Sequence, residues 1–228
     1  MKLNSAPQFV LALGAIVLAF GMPPLVAQQR RDSATEEKRL LAVLQSDAQA
    51  AQKAISCKEL AVYGSSDAVP ELAKLLSNPQ LSSWARIALE VIPGDPSDAA
   101  LRTAAEAMQG QLLVGVINSI GVRRDAKAVP ILVDRLKDND REVASAAAVA
   151  LGRIANDDAT EALQMALRTV PESRRSSVAE ACVLCAEARL LTGRQKEAAE
   201  IYDQVRNAGV PMQRIVEATR GSILARGQ

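Results

Sequence analysis

The sequence predicts an all-α fold, an α-solenoid built of antiparallel helix pairs. Three observations carry the prediction: a repeat of about 30 residues through the middle of the chain, capping and turn residues at the repeat boundaries, and a composition dominated by alanine and aliphatic residues with only 2% aromatics. Repeats of this length, if helical, hold two short helices and their turns. A β-sandwich or barrel fills its core largely with β-branched and aromatic side chains. Here Phe9 and Phe20 both lie close to the N-terminus, leaving Tyr63, Trp84 and Tyr202 for all the rest.

Residues 1–27 read as a secretory leader. Lys2 supplies the positive end, Phe9 to Phe20 is an unbroken apolar or small run, Gly21, Pro23 and Pro24 interrupt it, and Ala27 offers a small residue for cleavage. The run falls short of the roughly 20 residues that span a bilayer, an uncleaved anchor being the alternative. The expected location is periplasmic or secreted, with no membrane in the mature form. Residues 28–46 then form an N-terminal linker and helix, 47–170 the repeats, and 171–228 a helical extension.

The repeat is clearest where Asp67-Ala68-Val69-Pro70 returns two periods later as Ala128-Val129-Pro130, each followed by an apolar helix. Asp98-Ala99-Ala100-Leu101 and Ala159-Thr160-Glu161-Ala162-Leu163 are weaker copies. In the second half of the unit, Ala88-Leu89-Glu90-Val91-Ile92 matches Ala150-Leu151-Gly152-Arg153-Ile154, with Asn118-Ser119-Ile120-Gly121 in phase between them. The pattern predicts helices over 34–45, 47–63, 67–76, 80–92, 98–109, 111–121, 126–137, 141–154, 158–169, 172–192, 194–207 and 211–225. Leu112 to Ile117 has strand-like composition but sits in phase with second helices and is read as helical.

Punctuation supports each boundary. Ser33 with Glu36 and Ser46 with Gln49 have capping-box spacing. Asp67, Ser97, Asp125, Asp140 and Asp157 or Asp158 are placed to accept from free N–H groups at helix starts. Gly64, Gly110 and Gly193 fall at helix ends, and Pro70 and Pro130 in first turns, where a missing N–H costs little. The apolar segment Ile215 to Leu224 offers no obvious polar cap. Either the cap is of another kind or the sequence is part of a longer protein.

The unit made of Asp-Ala-Val-Pro, a Leu-rich helix, the Asp138-Asn139-Asp140 turn and Val-x-x-x-Ala-Ala-x-Ala-Leu-Gly resembles the HEAT repeat, and is most similar to the short HEAT-like form found in phycobilin lyases. Its best copy runs from Asp125 to Ile154. The resemblance covers residues 47–170 and implies a protein-binding surface along the second helices. HEAT units often add an Arg early in the second helix, laddered to the turn Asp of its neighbour. Ser82 and Ala144 stand at that position here, which predicts that units are held mainly by apolar burial. Ala186 to Tyr202, with its Gly193 turn, resembles a tetratricopeptide hairpin.

Chemistry is sparse. The chain has no His, which removes His-based triads, metal ligation and acid–base catalysis. Cys182-x-x-Cys185 lacks the two further ligands zinc needs, and Cys57, Cys182 and Cys185 read as three free buried thiols. Glu36-Glu37 and Asp157-Asp158 complement helix N-termini. The leader carries one Lys and no acid, so its removal leaves 26 basic residues against 26 acidic. That balance speaks against gripping nucleic acid. No catalytic residue, metal or cofactor is expected.

Function is therefore read as non-catalytic: an exported scaffold for protein partners. The alternatives are an accessory segment of a larger exported enzyme, or a tetrapyrrole handler like the phycobilin lyases. The candidate partner surface comprises Trp84, Arg86, Glu90, Asn118, Arg123, Arg124 and Arg153. Trp84 is expected to plug a gap between repeats, an exposed anchor being the alternative. The simpler reading of the charged residues is a solvated polar face.

Overall fold

The structure is a computed structural model and describes residues 24–227; the expected leader, residues 1–27, lies outside the described residues as far as Pro23. Twelve α-helices follow one another with no strand among the described residues: α1 (Pro24–Gln45), α2 (Ala50–Tyr63), α3 (Val69–Leu75), α4 (Ser82–Val91), α5 (Asp95–Ala107), α6 (Gly110–Arg123), α7 (Val129–Arg135), α8 (Arg141–Ile154), α9 (Asp157–Thr169), α10 (Glu172–Leu191), α11 (Gln195–Arg206) and α12 (Met212–Arg226). Short 3-10 turns, Ser66–Ala68 and Ala126–Ala128, lead into α3 and α7. Consecutive helices pair into six hairpins. The second members stack in the order α2, α4, α6, α8, α10, α12, and the first members form a parallel layer from α1 to α11. This is an α-solenoid, with one apolar core running between the two layers.

Small residues draw the second helices together. α8 lies between α6 and α10 with α7 behind it, and buries Val143, Ala144, Ala146, Ala147, Ala148, Ala150, Leu151 and Gly152. A Cβ on Gly121 would stand 2.9 Å from the Cα of Ala150, and one on Gly152 would stand 2.9 Å from both Cα and O of Ala181. Both glycines are in contact through backbone that cannot yield. An amphipathic helix needs three or four apolar positions per two turns, and α4 meets this with Ala85, Ala88 and Leu89 inward.

The caps correct several expectations. Ser33 lies inside α1, which begins at Pro24 rather than 34; proline is tolerated at a first helical position. The N-cap of α2 is Gln49, whose N–H donates to Gln52 Oε1 (3.3 Å), while Ser46 Oγ donates back to Val43 O (2.9 Å). Asp125 and Asp140 cap as expected, accepting from the N–H groups of Lys127 and Glu142. Ser65 and Asn156 take the roles assigned to Asp67 and Asp157, and Ser97 is buried within α5 behind the Gly94 cap. Asp and Ser next to a boundary are interchangeable by spacing alone; which one caps depends on the backbone angle at that residue. Gly193 does turn left-handed after α10 (φ +75°), but Gly64 is extended, and Gly110 (φ +57°) opens α6 rather than closing α5.

The units are not held by apolar burial alone. Arginines at the ends of second helices reach back to the preceding unit. Arg123 Nη1 donates to the carbonyls of Leu89 (2.7 Å), Glu90 (3.1 Å) and Ile92 (2.8 Å) at the C-terminus of α4, Nη2 to Gly94 O (3.1 Å), and Nε pairs with Asp98. Arg189 repeats the device two units on, donating to Ala155 O (2.8 Å), Asp157 Oδ1 (2.7 Å) and Thr160 Oγ1 (3.0 Å). The Arg194 guanidinium, and next that of Arg189, hold the Asp157 carboxyl below its ordinary range. Helix C-terminal carbonyls carry partial negative charge and lack intrahelical donors, so a cation there satisfies both needs. Ser82 and Ala144 are buried at the positions where the resemblance implied an arginine.

Candidate interaction surface

The solvent face of the second-helix layer carries a regular grid. Along α2, α4, α6 and α8 the residues facing outward recur three or four apart. In α2 they are Ile55, Lys58 and Val62; in α4, Trp84, Ile87 and Val91; in α6, half-buried Asn118 and exposed Val122; in α8, half-buried Val149 and exposed Arg153. Residues at these spacings share one face of a helix. The final turn of each helix contributes a row that crosses the layer: Val62 (75% exposed), Val91 (57%) and Val122 (52%), ending at Arg153. Ile55, Tyr63 and Ile87 are also exposed. The first three units thus present a row of exposed apolar residues to solvent, with Lys58 and the Arg86–Glu90 pair among them. Isolated surface hydrophobics are ordinary; a contiguous set is the signature of a contact surface.

Trp84 belongs to this strip. The residue is 38% exposed, so the expectation that it plugs a gap between repeats is overturned. Inward positions of α4 are occupied by Ala85, Ala88 and Leu89, so an indole one position before Ala85 points outward. Arg86 and Glu90 are not free surface charges. Arg86 Nη1 donates to Gly115 O and Ser119 Oγ (both 3.1 Å), Ser119 Oγ donates to Glu90 Oε1 (2.6 Å), and Glu90 lies 3.9 Å from the Arg86 guanidinium. Burial lowers the Arg86 pKa, an effect that Glu90 opposes. These residues tie α4 to α6, and Arg123 ties the same units beside them, at the C-terminus of α4. Asn118 is half-buried, while Arg124 and Arg153 are exposed with no side-chain partner among the described residues. Arg124 closes α6 in the left-handed conformation (φ +52°). Three of the seven candidates are therefore exposed, one lines a groove and three are inter-unit ties.

Beyond the strip, the same face opens into a groove of 790 Å³ between α6, α8 and α10, lined by Val114, Asn118, Arg141, Ser145, Ser173 and Glu180 among others. At the last unit, α12 turns Met212, Val216, Ile223 and Leu224 to solvent. The three thiols are free and buried; burial pushes Cys57 up to about 11 and raises Cys182 and Cys185 as well, so none is a thiolate near neutral pH. Ile55, Val62, Ile87, Val91 and Val122 escaped the sequence reading. A usable signal existed: a valine stands at the end of three successive second helices, in near-even register with the repeat.

An uninterrupted stack of helical hairpins that exposes a broad face instead of a closed pocket defines a helical-repeat solenoid. Residues 95–182, from α5 into α10, match the family model described as HEAT repeats. No curated protein matches the sequence. Among solved structures, the crystal structure of an engineered protein is 18% identical, covering 85% of this chain and 97% of that one at a TM-score of 0.47. Human deoxyhypusine hydroxylase in complex with glycerol is 15% identical, covering 90% and 91% at a TM-score of 0.40.

Proposed function

We propose that the protein is a non-catalytic scaffold, exported from the cytoplasm, that binds protein partners on the solvent face of its second-helix layer. The observation that carries the reading is the set of exposed apolar residues from Ile55 to Val122, which spans three repeat units and includes Trp84 on the middle one. Tryptophan is enriched among residues that dominate binding energy, and stacked repeats offer extended rather than enclosed sites. The Asp125–Ile154 unit supports the likeness to the short HEAT form. The α10–α11 hairpin, with its left-handed Gly193 and buried Tyr202, supports the tetratricopeptide likeness. No helix among the described residues is long and apolar enough to cross a membrane.

Two experiments test this reading. The protein and its Ile87→Ser/Val91→Ser variant, immobilised at equal density, are exposed to envelope extract. Partners retained by the first and lost by the second are expected; identical capture by both, or none, overturns the reading. Export predicts that N-terminal sequencing of the chain recovered outside the cytoplasm begins at Gln28, and an intact Met1 in the cytoplasmic fraction argues against it.

A further inference from the structure

We infer that the apolar strip on α2, α4 and α6 receives an amphipathic helix of a partner protein whose apolar face is flanked by carboxylates. The inference rests on the scaffold reading above and adds the chemistry of the partner.

Charge is the first argument. Lys58 and Arg153 are exposed cations on the outward faces of α2 and α8, and neither has a side-chain partner among the described residues. The carboxylates of the same four helices are all engaged. Glu59 accepts from Arg39 (3.0 Å), Glu90 from Ser119 (2.6 Å), and Glu142 from Gln111. The exposed charges left unanswered on these four helices are therefore the cations Lys58 and Arg153. Acidic flanks on the partner complete these cations; basic flanks are repelled.

Spacing is the second argument. Packed helices lie roughly 8–10 Å apart, which sets the distance between Val62, Val91 and Val122 as the row crosses three neighbouring helices. Residues seven apart on a helix are separated by about 10.5 Å, so one apolar residue per heptad of a crossing helix meets each valine. An extended strand offers same-face residues about 6.8 Å apart and falls out of step. Recognition of an apolar helix face by a groove between helices is a recurring mode of peptide binding.

Two other occupants fit less well. The chain's own apolar run, Phe9 to Phe20, contains no carboxylate. The apolar face of α12 in a second copy is bordered by Arg220, which has no side-chain partner, and so brings like charge to like.

The test uses the purified protein and a synthetic helical peptide of about 18 residues, roughly 27 Å long, with leucines at heptad spacing and glutamates on both flanks. The chain's single tryptophan, Trp84, reports binding directly. A blue shift of its emission on titration is expected, with affinity at least tenfold weaker for the same peptide carrying lysine in place of glutamate. Ile87→Ser/Val91→Ser is expected to lose at least tenfold in affinity, and Lys58→Glu/Arg153→Glu to reverse the preference between the peptides. All four positions are exposed, and thermal melts confirm that the variants fold. Equal binding of both peptides, or binding of neither, overturns the inference. A Trp84 shift produced instead by phosphatidylglycerol vesicles, or by self-association in sedimentation, overturns it in favour of a membrane or a second copy. If the peptides fail while Ile87→Ser/Val91→Ser still abolishes capture from extract, the partner chemistry is wrong and the scaffold reading survives. If that variant captures the same proteins, the scaffold reading itself falls.

Discussion

Replacing Arg123 by alanine is expected to destabilise the fold by about 3 kcal/mol, read from urea unfolding, although the residue lies outside the apolar core. Its side chain is 9% exposed and its donors serve four backbone carbonyls, Leu89, Glu90, Ile92 and Gly94, together with Asp98. A net hydrogen bond is worth about 1 kcal/mol, but leaving a buried acceptor unpaired costs its desolvation penalty, roughly 1–3 kcal/mol. Some of that loss is recovered because Gly94 and Asp98 sit near solvent and can rehydrate, which keeps the figure below the sum over all partners. Arg123→Lys should restore only a minor part. It keeps the charge but replaces a planar five-donor fork with a compact ammonium that cannot span the carbonyls. The neighbouring Arg124→Ala is the control. That side chain is exposed and unpaired, and a change within about 0.5 kcal/mol is expected. Equal effects at 123 and 124 would show that charge alone matters and that the tie contributes nothing.

Gly221→Ala is expected to cost about 2–4 kcal/mol, an effect set by one close approach. A Cβ at Gly221 would lie 2.2 Å from Cζ of Tyr202 and 2.4 and 2.6 Å from Cε1 and Cε2. The ring is 2% exposed, held between α11 and α12, and has nowhere to swing. Overpacking of this kind typically costs about 1–3 kcal/mol and more when the neighbour is locked. The measurement that separates packing from helix propensity is a double-mutant cycle with Tyr202→Leu. Alanine is intrinsically favoured over glycine in a helix by about 1 kcal/mol. In the Tyr202→Leu background, Gly221→Ala should therefore become neutral or stabilising, a coupling of several kcal/mol. Destabilisation that persists once the ring is gone would place its origin in the α12 backbone.

Both predictions fall on contacts that link residues far apart in the chain, and this marks where the sequence was legible. Helix positions were readable to within a few residues from α2 onward, because apolar periodicity and Pro, Gly, Asp and Asn at boundaries act locally. Pro130 and Asp140 bracket α7 and the start of α8 as expected. Helix α1 was the exception, since Ser33 has the spacing of a cap but lies in mid-helix beside the Tyr63 carbonyl. The candidate surface was half legible. Arg124, Arg153 and Trp84 stand in the open, whereas Arg86, Glu90 and Arg123 are consumed by partners one unit away, which a place on a second helix does not reveal.

By itself the sequence determined the class of structure: an aromatic-poor, alanine-rich chain with a short helical repeat can bury its apolar stripes only by stacking helical hairpins. Tertiary structure alone decided which side of each second helix remains in water, and hence that Val62, Val91, Val122 and Trp84 form one exposed strip. It also decided that arginines at helix ends clamp the units together. The physical reason is range. Periodicity and capping are set by residues within a turn or two of each other, while exposure and pairing depend on what a neighbouring unit, one full repeat away, brings alongside.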